Sequence, residues 1–167
     1  ASGIAEQRAK PLLQGAVNWL LSQKLPPNPR CRFDSWLAPG VESHPSRTAW
    51  CYGDLGLAAS LLYAARCLGD EKWEKEALDL AREIASRPFE NSGVVDSGLC
   101  HGAAGNGHIF NRIFQATREE VFRDAACFWF EKALQFRKPG EGVAGYLMWT
   151  GGVPGKPEWE ADPGFLN

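Results

Sequence analysis

The chain has 167 residues, a size that fits one compact domain, and 44% of them are hydrophobic and 23% charged. A net charge of −2 provides no electrostatic basis for binding nucleic acid or anionic lipid, so neither is expected as a partner. No apolar run approaches the roughly 18 residues of a membrane helix and no secretory signal opens the sequence, so we expect a cytoplasmic protein with its five cysteines reduced.

The first predicted element is a helix over residues 4–24, where apolar side chains recur three and four positions apart. Pro11 falls within this segment, so it either kinks the helix or occupies its first turn. The helix is expected to end at Leu25-Pro26-Pro27-Asn28-Pro29, because proline lacks an amide donor. Residues 26–49 then form a long loop, and loops of this length inside a compact domain are usually functional or disordered.

Two pairs of helices follow the loop. They are predicted at residues 53–68, 71–87, 102–116 and 118–137. The segment 53–68 is apolar nearly all round, which predicts a helix buried on every side, and Gly69-Asp70 separates it from an amphipathic partner. The second pair repeats this order. A short strand is predicted after it, at residues 146–150.

The recurrence of paired helices indicates a repeat architecture in which each hairpin buries its face against its neighbours. We treat residues 1–167 as one domain with units near 4–49, 50–98 and 99–161. Residues 163–167 echo the start of an earlier unit, so the last unit is expected to be truncated. These units are too few to close a ring, and we expect the chain to be a fragment.

Two short phrases, Trp50-Cys51-Tyr52-Gly53 and Leu99-Cys100-His101-Gly102, each precede an apolar helix and a second glycine. Cys51, Cys100 and His101 would supply two thiolates and one imidazole, a soft donor set that suits Zn²⁺. Three protein ligands leave one position open, as in catalytic zinc sites. Neighbours in a helix diverge by about 100°, so residues 100 and 101 can converge on a metal only in the turn before the helix.

This donor set favours activation of a thiol, with activation of water as the alternative. Two thiolates neutralise Zn²⁺, so a substrate thiol that binds the open position is deprotonated and still nucleophilic. The helix N-terminus is also expected to lower the pKa of a nearby cysteine, which would help metal binding.

Spacing alone leaves other interpretations of the cysteines and histidines open. Cys51 could be a small buried hydrophobe, and Cys31 could complete a structural zinc site instead. Cys67 and Cys127 lie in apolar helices and are predicted to be core residues. His108 is predicted to be a core histidine with its hydrogen bonds satisfied.

Other polar residues have alternatives of their own. Paired carboxylates at Asp54 and Asp96 would suit a glycosidase, although aspartates at helix starts more often act as caps. Taken singly, Arg47 would be a solvated or ion-paired loop residue and Tyr52 a packing residue.

Arg47-Thr48-Ala49-Trp50-Cys51-Tyr52-Gly53, Cys100-His101-Gly102 and the recurring Gly-x-x-Gly resemble the lanthionine synthetase C-like cyclases. The resemblance covers essentially the whole chain and matches the C-terminal part of such proteins. It implies an all-α fold, here an incomplete segment of an α/α toroid built from helical hairpins. It also implies zinc as the cofactor, bound by Cys51, Cys100 and His101, with Arg47 and Tyr52 as catalytic residues beside it.

The resemblance implies a zinc-dependent cyclase that adds cysteine thiols of a peptide to dehydroalanine or dehydrobutyrine, forming the thioether rings of lantibiotics. Its partners would be a precursor peptide with dehydrated serine and threonine residues, together with a dehydratase and an exporter. The alternative is a zinc- and thiol-binding relative, for glutathione or a peptide, without cyclase activity. The family's N-terminal hairpins, with a further histidine and aspartate, are missing here, so the isolated chain is expected to be inactive.

Overall fold

The computed structural model describes residues 3–151 and 154–163, which form an all-α fold with one small antiparallel sheet. The elements are α1 (Glu6–Ser22), α2 (Asp54–Leu68), α3 (Glu71–Ala85), a 3₁₀ helix (Phe89–Asn91), α4 (Ala103–Thr117), α5 (Glu120–Gln135), β1 (Met148–Trp149) and β2 (Trp159–Glu160). The all-α fold class and the short strand are therefore confirmed. Residues 163–167, which echo the start of an earlier unit, lie outside the described residues apart from Pro163.

Two helical hairpins dominate the fold, as the apolar periodicity predicted. α2 packs along α3 and α4 along α5, while α2 also contacts α4 and α3 contacts α5. Gly69 ends α2 in the left-handed region at φ 68°, and the Asp70 carboxylate accepts hydrogen bonds from the N–H groups of Lys72 and Trp73 to cap α3. The two hairpins therefore lie side by side.

The core lies between these four helices. Its largest fully buried apolar side chains are Leu55, Leu61, Leu80, Ile84, Phe110 and Phe122. The rings of Phe110 and Phe122 stack with their centroids 6.3 Å apart and so join α4 to α5. This packing brings the N-terminal ends of α2 and α4 together, where the Trp50 N–H donates to the Cys100 carbonyl at 3.0 Å.

The segment before α2 differs from the expectation in one detail. α1 begins at Glu6, so Pro11 lies inside the helix and not in its first turn. α1 has few contacts with the rest of the chain, chiefly with α2. The loop that follows contains no helix among the described residues and is braced by a bridge between Asp34 and Pro45.

Three core predictions are wrong, because one face of α2 and parts of α4 and α5 are open to solvent. Cys67 and Cys127 are exposed, and so is His108. Tyr63 is 65% exposed, so α2 is not buried on every side. Apolar composition predicts a buried helix only where other elements cover every face, and α3 and α4 do not reach this face of α2.

A buried ion pair fastens the long loop to the first hairpin. Asp54 and Arg87 are 0% and 4% exposed and lie 2.6 Å apart. The Asp54 carboxylate also accepts hydrogen bonds from the backbone N–H groups of Arg32 and Phe33, and Arg87 donates to the Thr48 hydroxyl at 3.3 Å. Because Asp54 is fully buried and engaged, it is not the accessible carboxylate that the glycosidase alternative requires.

No helix in the described part of the chain is long and apolar enough to cross a membrane, in agreement with the sequence. The proposed unit boundaries within the single domain stay a prediction.

Candidate metal centre

The two cysteine phrases meet at the N-terminal ends of α2 and α4. The donor atoms of Cys51, Cys100 and His101 all lie within 4.8 Å of one another. The Cys51 side chain is exposed, whereas Cys100 and His101 are half-buried. The structure thus brings together the three predicted ligands, although their use in metal binding stays a prediction.

The three donors fit a zinc ion in number, type and spacing. Tetrahedral zinc with Zn–S near 2.3 Å needs donors roughly 3.5–3.8 Å apart, so donors already within 4.8 Å need only small side-chain movements. The Nδ1 atom of His101 is buried without a hydrogen-bond partner. Such an atom costs free energy unless something bonds to it, and a metal ion would meet that need.

Burial shifts the pKa values of Cys100 and His101 in opposite directions. It raises the pKa of the Cys100 thiol to about 11, and the neighbouring Cys51 thiol acts in the same direction. It lowers the pKa of His101, which favours the neutral imidazole that a metal binds. Burial therefore opposes, at Cys100, the lowering of the thiol pKa that the N-terminus of α4 is expected to produce, and that lowering stays a prediction.

The second glycine of each phrase allows the preceding turn to fold against its helix. A Cβ atom at Gly56 would lie 2.0 Å from the Trp50 carbonyl oxygen, and one at Gly105 would lie 1.9 Å from that of Leu99. Each carbonyl belongs to the residue directly before a candidate ligand. Any side chain at these glycines would therefore displace the turn that carries Cys51 or Cys100.

Gly105→Ala is expected to lower the free energy of unfolding by about 1–3 kcal/mol and to weaken zinc binding, because the Leu99–Cys100 backbone must move. The matched control is Gly15→Ala in α1, where no atom lies within 4 Å of the new methyl group. This control should be neutral or stabilising by up to about 1 kcal/mol. Urea denaturation and zinc titration measure both effects, and equal stability of the two variants would contradict the close contact.

Hydrogen bonds with the Ser92 loop and with Asn106 of α4 hold the segment before Cys51. The Thr48 N–H donates to the Ser92 carbonyl at 2.7 Å, and the Asn106 side-chain amide donates to the Thr48 carbonyl at 2.9 Å. Thr48 and Asn106 are both fully buried. Sequence reasoning missed both residues, although an asparagine within the apolar stretch that became α4 was a usable signal.

Arg47 and Tyr52 lie beside the candidate ligands. Burial raises the pKa of Tyr52 and of the Cys100 thiol, and the positive charge of Arg47 opposes this rise at both groups. The Arg47 guanidinium lies 5.7 Å from the centroid of the Tyr52 ring and 4.8 Å from that of Trp149.

Two open grooves adjoin this group of side chains. The larger has a volume of about 630 Å³ and includes Arg47, Tyr52, Trp36 and Trp149 in its lining. The smaller, of about 300 Å³, is lined in part by Cys51 and also by Tyr52, which therefore stands between the two. Only the smaller groove includes a candidate ligand, Cys51, in its lining, and Tyr52 connects it to the larger one.

Comparison with known proteins adds the evolutionary context. A family model described as lanthionine synthetase C-like protein matches residues 1–148. The chain belongs to the lanthionine synthetase C-like family. Among curated proteins, the glutathione S-transferase LANCL1 of Danio rerio is 26% identical over 136 residues, covering 81% of this chain. The match takes in 31% of that relative, so the chain spans about a third of its length.

Within this lanthionine synthetase C-like chain, Cys31 is buried in the long loop and is not part of the group formed by Cys51, Cys100 and His101. The alternative of a structural zinc site completed by Cys31 is therefore wrong.

Asp96 is buried and accepts hydrogen bonds from the N–H groups of Gly98 and Trp149. It acts as a turn cap, as aspartates before helices often do.

Proposed function

We propose that this chain carries the zinc site of a cyclase that adds cysteine thiols of a peptide to dehydroalanine or dehydrobutyrine. The observation that supports the proposal most is the convergence of the donor atoms of Cys51, Cys100 and His101 within 4.8 Å. The donor set is soft, and it opens toward grooves large enough for a peptide segment.

Cys51, Cys100 and His101 would hold the zinc ion. Zinc bound there would supply Lewis acidity that keeps a substrate thiol deprotonated and nucleophilic near neutral pH. Cys51 is exposed, so a thiol can approach the centre from the solvent side.

Arg47 and Tyr52 would act on the dehydroalanine or dehydrobutyrine residue that accepts the thiol. When sulfur adds to the β-carbon of dehydroalanine, electron density moves toward the acceptor's amide oxygen. The Arg47 guanidinium would stabilise this developing charge as a fixed cation. Tyr52 lines the grooves on both sides and could donate a proton, since burial raises its pKa and keeps the phenol neutral.

A second candidate is a protein that binds zinc and a thiol such as glutathione without closing rings. The relative named as a glutathione S-transferase favours it. Both candidates use the same centre and differ in whether a thioether forms. A peptide with one cysteine and one dehydroalanine, incubated with the zinc-loaded protein, separates them. Ring closure consumes the peptide thiol without a change in mass, whereas a protein that only binds the thiol leaves it free.

With the cyclase we also propose a cytoplasmic location and, as partners, a precursor peptide with dehydrated serine and threonine residues, a dehydratase and an exporter. The family membership supports this assignment.

Arg47→Ala is expected to slow thioether formation by about a hundredfold or more, the scale of losing one fixed donor to an oxyanion. Zinc content should be unchanged because guanidinium is not a zinc ligand. Arg47→Lys should recover little activity, since lysine offers a point charge and not a planar set of donors. The rate at which free thiol disappears from the peptide measures the effect, in a longer protein that carries this chain.

The control is Arg112→Ala, which removes an exposed guanidinium from α4 and changes the net charge equally. It should leave the rate unchanged. A normal rate for Arg47→Ala would show that Arg47 has no catalytic role. Loss of zinc from that variant would mean that Arg47 holds the site together, and its catalytic assignment would be unsupported.

A further inference from the structure

Arg47 has an unusual set of neighbours for a half-buried arginine. Among the described residues it forms no ion pair, and its Nη1 atom is buried without a hydrogen-bond partner. Its guanidinium carbon instead lies 4.8 Å from the centroid of the Trp149 ring and 5.7 Å from that of Tyr52. The contacts that orient this cation are therefore the faces of two aromatic rings.

Trp149 is itself tied to the metal centre. It lies on β1, and its N–H donates to the Asp96 carboxylate at 3.3 Å. The backbone carbonyl of Asp96 accepts a hydrogen bond of 2.9 Å from the N–H of Ala103, the first residue of α4. Asp96 thus links β1 to the turn that contains Cys100 and His101, and any displacement of β1 would move the Trp149 ring relative to that turn.

We propose that Trp149 is a positioning residue for Arg47 and that Asp96 sets the place of Trp149 relative to the metal centre. The assignment rests on the proposed function of Arg47. A carboxylate partner would orient a guanidinium but would also occupy its N–H groups and neutralise its charge. A ring face orients the plane of the cation and leaves the N–H donors at its edge free for a substrate oxygen.

The first test observes Arg47 directly. The Nε–Hε signal of Arg47, assigned by its disappearance in Arg47→Lys, should be shifted by the ring current of Trp149 in the NMR spectrum. Trp149→Leu should remove most of this shift and increase the motion of the Arg47 side chain. Trp149→Phe should keep much of the shift and much of the restriction on that motion. The matched control is Trp159→Leu, an exposed tryptophan that pairs with Trp149 in the same sheet, and it should change neither.

The second test is kinetic. Trp149→Leu should lower kcat for thioether formation by about ten- to a hundredfold at unchanged zinc content. KM should be nearly unchanged, because a misplaced catalytic group slows the chemical step more than it weakens substrate binding. The double variant Arg47→Ala/Trp149→Leu should be no slower than Arg47→Ala, since both changes remove one function. Trp149→Phe should restore most of the rate, and Trp159→Leu should retain it.

An unchanged Arg47 signal in Trp149→Leu would overturn the positioning role, and so would rate losses that multiply in the double variant. Absence of thioether formation by a longer protein that carries this chain would instead overturn the proposed function. The NMR comparison would then decide by itself whether Trp149 orients Arg47.

Discussion

Replacing Cys100 with serine is expected to reduce bound zinc from one ion per chain to none at micromolar zinc. The variant loses one of only three protein donors, and a serine hydroxyl is a poor substitute for a thiolate toward this metal. Zinc affinity is expected to fall by more than about a hundredfold. Even replacing residues that hydrogen-bond to metal ligands lowers metal affinity by about 10–100-fold. Elemental analysis and competition with a chromogenic chelator measure it.

Cys100→Ser should also change how zinc affects the thermal stability of the chain. A ligand present at a hundred times its Kd stabilises the folded state by about 2.7 kcal/mol. Removing zinc with a chelator should therefore lower the Tm of the unsubstituted chain by roughly 5–10 °C and leave the Tm of Cys100→Ser unchanged. Cys127→Ser, which replaces an exposed thiol on α5, should behave like the unsubstituted chain. Equal zinc content in the two variants would exclude Cys100 as a ligand.

Replacing Asp54 with alanine is expected to lower the free energy of unfolding by about 3–5 kcal/mol. The substitution leaves the guanidinium of Arg87, 4% exposed, without its counter-charge, and it removes the acceptor of the Arg32 and Phe33 N–H groups. An unpaired buried charge is far more costly than a missing surface pair. Urea denaturation followed by circular dichroism measures the loss.

The control for this effect is Asp79→Ala, which removes an exposed partner of Lys75 and Arg82 from α3. Pairs of this kind contribute about 0–1 kcal/mol, so the variant should unfold close to the unsubstituted chain. If Asp54→Ala were no less stable than Asp79→Ala, the buried ion pair would not anchor the long loop. Zinc affinity should fall with stability in Asp54→Ala, because the same loop leads into Cys51.

Much of the fold could be predicted because helical periodicity is a local property. The apolar spacing in residues 53–68 and 102–116 predicted α2 and α4 to within one residue at each end. Gly69 and Asp70 marked the connection through their own preferences for a left-handed C-cap and an N-cap side chain. No long-range contact is needed to decide these features.

Burial could not be predicted as well. Cys67, Cys127 and His108 occupy apolar stretches, yet all three are exposed, because exposure depends on which helix faces are covered by elements distant in sequence. The repeated cysteine phrases pointed to Cys51, Cys100 and His101, and the packing of the hairpins brings their donor atoms together.

The sequence by itself determined the helical hairpins and the pair of glycine-bounded turns that carry the candidate ligands, because both follow from residues close together in the chain. Only the tertiary structure decided what surrounds Arg47. The ring of Trp149 reaches it from a strand about a hundred positions later, and Asp96 holds that strand in place. Such contacts arise when separately formed elements pack, and no local pattern encodes them.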